Sequence, residues 1–291
     1  MAITEQQPDV APTIRVVDLV KRFDGRAVLD GVNLDVMPGE TMVIMGGSGC
    51  GKSTLLRHMI GSLMPNEGRV ELLGQDISIL EEPDLNAVRR RFGILFQSGA
   101  LFNSMTVGEN VALPLREHTD LDDSTIEVIT LIKLEQVSLR HAVDLMPSEI
   151  SGGMKKRAGL ARALALDPEI LFYDEPSAGL DPVTSSEIDQ LMMDLSDKLG
   201  VTTVVVTHEM DSAFRIADRI AMLDHGRVLK LASREEFEAI RDGDPIGDET
   251  NDLIRQFLRG DPEGPLTQRR QNSDYEEAIL EAADGHDRGL M

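Results

Sequence analysis

The chain is short of several things, and each shortage removes a class of explanation. Of 291 residues only Cys50 is a cysteine. No disulfide can form within the chain, which fits a reducing compartment. Basic residues are outnumbered, 29 Lys and Arg against 51 Asp and Glu, giving a net charge of −22. A nucleic-acid binder needs a basic face, so nucleic acid is not an expected partner. Adsorption to anionic lipid through this chain alone is opposed by the same charge. The acidic surface is read as a solvated one. The N-terminus, MAITEQQPDVAPT, has neither a basic nor an apolar signal region. No apolar run approaches the roughly 18 residues of a spanning helix. The expectation is a cytoplasmic protein whose membrane role, if any, runs through a partner. No internal repeat or low-complexity tract is visible. The length suits one large or two modest domains with a substantial core.

What the chain does have is residues 41–56, TMVIMGGSGCGKSTLL. Residues 46–53 fit G-x-x-x-x-G-K-[ST], the phosphate-binding P-loop. Residues 41–45 are apolar and β-prone, and Leu55, Leu56, Met59, Ile60 and Leu63 recur at helical spacing. Strand, loop and helix are the context the motif needs. Gly46, Gly47, Gly49 and Gly51 let successive N–H groups turn inward, forming an anion nest at a helix N-terminus. Lys52 brings a positive charge to the β and γ phosphates, and the Ser53 hydroxyl is placed for Mg²⁺.

In chain order, residues 1–13 are expected to be disordered. Strands are expected at 14–20, 28–36, 68–73, 92–96, 170–173, 201–206 and 219–223. Helices are expected at 85–91, about 123–134, 151–166, 182–199 and 209–217. Alternating strands and helices imply an α/β fold with a mainly parallel sheet. Residues 98–166 break that alternation, are mostly helical, and read as an inserted subdomain. ILFYDE, residues 170–175, is an apolar strand ending in two carboxylates. Asp174 is the candidate Mg²⁺ ligand and Glu175 the candidate base for an attacking water. Ser151, Gly152, Gly153 and Met154 open a helix with a serine cap, a second anion site. The run Lys155, Lys156 and Arg157 reads as a solvated face or a contact with a neighbouring subunit. Met192 and Met193 read as core packing.

In order the chain carries GGSGCGKS, Gln97, SGGM with KKRAGLARAL, ILFYDEP, SAGLD and His208. Over about residues 14–240 it resembles the ATP-binding subunit of ABC transporters. The resemblance implies a P-loop NTPase core with an antiparallel N-terminal β subdomain and a helical subdomain at about 98–166. It implies ATP bound by residues 46–54, namely Gly46, Gly47, Ser48, Gly49, Cys50, Gly51, Lys52, Ser53 and Thr54. Phe23 would stack on adenine, where a tyrosine is commoner. Gln97 would contact Mg²⁺ with Ser53 and Asp174, and link to the transmembrane partner. Ser151, Gly152 and Gly153 would bind the ATP of a second copy, with Met154 in place of the usual glutamine. Asp181 would be the D-loop aspartate. His208 would join Glu175 and Gln97 in catalysis.

LFQSGALFNSMTVGENVALPLREHT, residues 95–119, and ISGGMKKRAGLARAL are similar to the ATPases of Mla/Mce-type phospholipid transporters. The resemblance implies a second copy of the chain, a multi-spanning permease, an Mce-domain substrate-binding protein and, in some systems, a small STAS-domain protein. It places the chain on the cytoplasmic face of the inner membrane through the permease. ABC ATPases of DNA repair and chromosome structure carry a long coiled coil between P-loop and signature; here that interval is under a hundred residues and has no heptads. Translation ATPases carry two cassettes in one chain, and here there is one. A small-solute importer remains the alternative, disfavoured by Met154 and the 95–119 segment. Residues 241–291 form a C-terminal extension. From Asp261 onward it carries eight acidic and three basic side chains, a composition that by itself fits a disordered tail. Leu253, Ile254, Phe257 and Leu258 instead give residues 249–259 the spacing of an amphipathic helix. Pro265, Leu266, Tyr275, Ile279 and Leu280 are apolar anchors, and Tyr275 is expected to dock on the second copy.

Overall fold

The computed structural model describes residues 10–244 and 247–265. By internal contacts the chain divides into two compact units, Met1–Ala232 and Ser233–Met291.

The first unit opens with β1 (Ile14–Phe23) and β2 (Arg26–Val36), an antiparallel pair turned at Asp24 and Gly25, both with positive φ. β4 (Glu67–Leu72) pairs antiparallel with β1, and β5 (Gln75–Asp76) with β4, so the order is β2-β1-β4-β5. The second sheet runs β10-β9-β3-β8-β7-β6. Its strands are β3 (Thr41–Gly46), β6 (Phe92–Leu95), β7 (Ile170–Asp174), β8 (Thr202–Val206), β9 (Arg219–Asp224) and β10 (Arg227–Ser233). The pairs β3 with β8, β3 with β9, β6 with β7 and β7 with β8 are all parallel. β3 and β8 are buried along their whole length, as continuous apolar runs in a parallel sheet require. One apolar cluster joins Ile14, Val16 and Leu72 of the first sheet to Met42, Ile44 and Phe172 of the second and to Leu55 and Met59 of α1 (Lys52–Met59). The two sheets and α1 therefore share one core.

The remaining helices are α2 (Glu82–Arg89), α3 (Val107–His118), α4 (Asp123–Gln136), α5 (Gly152–Ala163), α6 (Pro182–Leu199) and α7 (Met210–Ile216). α3, α4 and α5 build the helical insertion, with a small core of Ala112, Leu115, Ile126 and Ala165. α6 has the expected ends. Asp181 caps its N-terminus, Pro182 fills the first turn and Gly200 closes it with φ 63.

The differences from expectation have local causes. α3 went unassigned because Pro114 sits inside it; a Thr106 and Glu109 capping box starts it nonetheless. α1 stops at Met59, short of Leu63, because Gly61 turns with φ 65. α5 ends at Ala163, before 166, where the Leu164 N–H bonds both Arg162 and Leu160 carbonyls. β10 and α8 (Arg234–Asp242) were missed because most of their residues stay partly exposed, and α8 buries only Phe237.

In the second unit α8 is followed by α9 (Glu249–Arg259), over the span expected from its apolar spacing; Asp248 caps it and Gly260, φ 67, closes it. Arg255, 6% exposed, donates to the Ile240 and Asp244 carbonyls at 2.9 and 2.7 Å. This wires α9 to the end of α8. The unit begins at Ser233, earlier than the 240/241 boundary read from sequence. The anchors Leu266, Tyr275, Ile279 and Leu280 lie outside the described residues, as do residues 1–9. Among the described residues no helix is long and apolar enough to cross a membrane.

Candidate active site

Sheet register assembles the site. Ile44 lies beside Val206, Val206 beside Asp174, and Leu95 beside Tyr173. The ends of β3, β8, β7 and β6 therefore meet at one edge of the sheet. Gly46, His208, Glu175 and Gln97 leave from that edge, where ligands bind in open parallel sheets.

The loop after β3 is held by backbone. A Cβ added to Gly46, φ 151, would lie 2.2 Å from the Leu223 carbonyl oxygen and 2.8 Å from the Cys50 sulfur. At Gly51, φ 110, it would lie 2.9 Å from the Val28 oxygen. Lys52 is 9% exposed and its Nζ donates to the Gly46 and Gly47 carbonyls at 2.8 and 3.1 Å. No acidic residue sits in the first turn of α1 and no side chain caps it. Its leading N–H groups and dipole thus favour an anion. Cys50 is buried, and burial pushes its thiol up from the ordinary value. Its side chain packs inside the loop, so only its main chain can meet a phosphate. Gly46→Ala is expected to cost about 1–3 kcal/mol of stability through overpacking, and to weaken nucleotide binding with it. Thermal melting and titration with a fluorescent ATP analogue check this; parental values in both would mean the backbone yields at Leu223.

β7 ends in the two carboxylates. Ile170, Leu171, Phe172 and Tyr173 are each at most 1% exposed. At about 1.5–3 kcal/mol per buried side chain, they anchor the strand far more firmly than a surface ion pair at about 0–1 kcal/mol could. Burial, then the neighbouring Glu175 charge, raises the Asp174 carboxyl above its usual range, against Arg57, Lys156 and Lys52. Glu175 takes φ 50, a left-handed conformation uncommon for a side-chain-bearing residue. Its N–H is fixed to the Val206 oxygen at 2.8 Å. Its Oε2 is 2.9 Å from His208 Nδ1, with the glutamate side chain 14% exposed and the histidine 61%. Glu175 and His208 are thus paired at this edge of the sheet.

Gln97 is exposed just beyond β6. The segment after it is tied to the helical insertion. Arg162 of α5 donates to the Gly99 and Ala100 carbonyls at 3.0 and 2.7 Å, and buried Asn110 of α3 bonds both backbone groups of Phe102. A cavity of about 570 Å³ lies alongside, lined by Arg89, Phe92, Phe96, Phe102 and Arg162 among others.

The other candidates fall into two places. Ser151 caps α5, accepting the Met154 N–H at 3.3 Å. Asp181 accepts from Val183 N, Thr184 N and Thr184 Oγ1, and the Thr184 hydroxyl foremost holds its carboxyl below the usual range. A Cβ on Gly153 would lie 2.6 Å from Thr184 Cγ2, so the starts of α5 and α6 meet closely. Among the described residues, the hydrogen bonds of Ser151 and Asp181 stay within their own helix starts. Phe23 ends β1, 46% exposed, with Lys21 Nζ 5.3 Å from its ring centre.

The basic run at 155–157 is not a solvated face. Arg157 pairs with Glu187. Lys156 is 4% exposed and its Nζ donates to the Glu175 carbonyl at 3.1 Å. The sequence signal was its place in the α5 period, one turn from buried Leu160 and Gly159. The three adjacent charges concealed it.

The sequence pattern that describes ABC transporters matches residues 29–178. The chain is 41% identical over 269 residues, 92% of its own length and 98% of the relative's, to the intermembrane phospholipid transport system ATP-binding protein MlaF of Haemophilus influenzae. It is 40% identical, over 94% of its length and 77% of the relative's, to the probable ribonucleotide transport ATP-binding protein mkl of Mycobacterium leprae. It is also similar to a dimeric ATP-binding cassette solved in a post-hydrolysis state with ADP and phosphate. That likeness has a TM-score of 0.70 and 32% identity, and covers 76% of this chain and 98% of that one.

Proposed function

Since this chain belongs to the ABC transporter family, we propose that it is the ATP-hydrolysing motor of a system that moves phospholipid between membranes. The observation that carries the lipid reading is the near-full-length likeness to the Haemophilus phospholipid-transport ATPase. The mycobacterial relative's name, ribonucleotide transport, supports the alternative of a small-solute importer. That likeness leaves about a quarter of the relative uncovered.

ATP binds on the loop of residues 46–54. Lys52 and the leading N–H groups of α1 receive the phosphates, and Phe23 offers its ring to adenine. Ser53, Asp174 and Gln97 make an all-oxygen donor set that suits Mg²⁺. The fit is supported by Asp174, a carboxylate raised by its burial and then by its neighbour Glu175, and thus in want of a cation. When bound, Mg²⁺ would offset phosphate charge. Glu175 accepts the proton of the attacking water, and His208, paired with its carboxylate, faces the same edge. Ser151, Gly152, Gly153 and Asp181 serve the ATP held by a second copy. ATP thus closes a head-to-tail dimer, and hydrolysis reopens it.

The partners in this reading are a transmembrane permease, an Mce-domain substrate-binding protein and, as in some systems of this kind, a small STAS-domain protein. The cavity beside Gln97, walled by Phe96 and Phe102, offers the permease a place next to the catalytic edge. The chain then sits on the cytoplasmic face of the inner membrane through that contact. Purifying the native complex and identifying its subunits by mass spectrometry tests the assignment. A permease with an Mce-domain protein is expected; a periplasmic small-solute receptor would favour the alternative.

The extension has its own test. Docking of Tyr275 on the second copy raises effective concentration without altering the ATP site. Deleting residues 262–291 is expected to weaken dimer or complex assembly while one protomer still binds ATP. Light scattering with and without ATP checks it; equal assembly by both proteins returns the tail to a solvating role.

A further inference from the structure

Lys156 is a buried cation that no step above uses. It projects from α5, the helix whose start carries Ser151, Gly152 and Gly153. Its Nζ donates to the main-chain carbonyl of Glu175 at 3.1 Å. That carbonyl also accepts the Ala178 N–H at 3.2 Å, and the Glu175 N–H is held by Val206 at 2.8 Å. Three contacts thus clamp Glu175, the residue that follows β7, at φ 50. A left-handed glutamate persists only where its surroundings over-determine it.

The charge of Lys156 has a reason to be there. Burial pushes its ammonium down from the ordinary value, and the charges of Glu175, Glu209 and Asp174 work against that shift. A neutral side chain could donate one hydrogen bond. Only a cation also offsets three nearby carboxylates in a partly desolvated place.

The connection matters because the two ends of it serve different ATP molecules. On the proposed reading, on which this inference rests, the start of α5 binds nucleotide held by the second copy, while Glu175 acts on nucleotide held by its own P-loop. We propose that Lys156 is a positioning residue that ties the signature helix to the Glu175 peptide, so that phosphate captured at one composite site sets the base at the other. Seating of phosphate on Ser151, Gly152 and Gly153 fixes the start of α5. Lys156, about one turn along, carries that fixation to the carbonyl of Glu175. The carboxylate of Glu175 is then oriented toward its own site. Each base is thus set only when the other half of the dimer is loaded.

The test is made on the full chain, in its native complex, with Lys156→Met, Lys156→Gln and Lys156→Arg, and with Glu175→Gln in parallel. A misplaced base loses about 10- to 100-fold in rate. Lys156→Met is expected to lower kcat by that amount, with KM for ATP and the melting temperature close to parental. Lys156→Gln, a donor without charge, should fall between. Lys156→Arg, which keeps the cation, should recover most of kcat. A cycle with Ser151→Ala reads the coupling: the double variant Ser151→Ala, Lys156→Met should be no slower than the slower single variant, since both cut one line. Parental kcat in Lys156→Met, or single-variant losses that simply multiply, overturns the proposal. So does a loss of kcat accompanied by lost ATP binding or a lowered melting temperature in all three Lys156 variants, which would make the residue a prop for α5. Parental hydrolysis by Glu175→Gln would instead overturn the base assignment itself, so the two failures are told apart.

Discussion

Glu175→Gln is expected to lose ATP hydrolysis while ATP still binds. A positioned general base typically contributes about 10²–10⁴-fold, so kcat should fall by at least about 10²-fold. The substitution keeps the shape of the side chain and an oxygen to face His208 Nδ1, which lies 2.9 Å from Oε2. It does not touch the main-chain contacts with Val206 and Lys156 that hold residue 175 in place. The fold and the P-loop are therefore expected to be unchanged, and the variant should accumulate as an ATP-bound dimer. Hydrolysis at the parental rate would remove Glu175 from the chemistry and leave its unusual backbone without a catalytic reason.

Mixing defective protomers gives the second large effect. The P-loop lies at the end of β3 and the Ser151 cap at the start of α5, and in the proposed function each supplies half of a phosphate cage. In a two-fold dimer both halves meet twice. Lys52→Ala removes the ammonium from the loop, and Ser151→Arg fills the signature with a large cation. Each variant alone has no intact composite site and is expected to be inactive. A dimer with one protomer of each kind keeps a single intact site. An equal mixture should regain some activity. About half the dimers are mixed and each has one site of two, which sets a ceiling of roughly a quarter of parental. The coupling inferred for Lys156 holds it about 10- to 100-fold below that ceiling, because the intact site's Glu175 belongs to the protomer whose own signature is blocked. Full activity of Ser151→Arg by itself would contradict the composite site.

The core of this arrangement was legible because the residues that build it have no alternative use. Residues 41–56 hold the period of a buried strand, the glycines of a tight nest and the spacing of a helix. Backbone crowding then requires glycine at Gly46, against Leu223, and at Gly51, against Val28. α6 was legible from Pro182 at its start and Gly200 at its end, and α9 from the apolar spacing of Leu253, Ile254, Phe257 and Leu258; the structure adds the caps Asp181 and Asp248 and the left-handed stop at Gly260. α3 was not legible, since Pro114 contradicts a helix locally, and tertiary packing of Val107, Val111 and Leu115 overrides it. The site was readable as a set of residues and not as a geometry. No local pattern announces that Glu175 adopts φ 50, nor that His208 pairs with it across β7 and β8. Lys156 shows the same limit most plainly. Within KKR it looks solvated, and only the fold, which brings its ammonium to the carbonyl of Glu175, buries it. The sequence reads Asp181 as a nucleotide contact, and what the fold shows is its carboxylate capping α6.

The central claim is that hydrolysis at this edge of the sheet moves phospholipid. The direct measurement is transfer of a labelled phospholipid between donor and acceptor vesicles by the chain purified with its permease and Mce-domain partner. The account predicts transfer that requires ATP, ceases with Glu175→Gln, and is accompanied by phospholipid bound to the purified complex. Hydrolysis stimulated by a ribonucleotide or another small solute, with phospholipid neither bound nor moved, would contradict it.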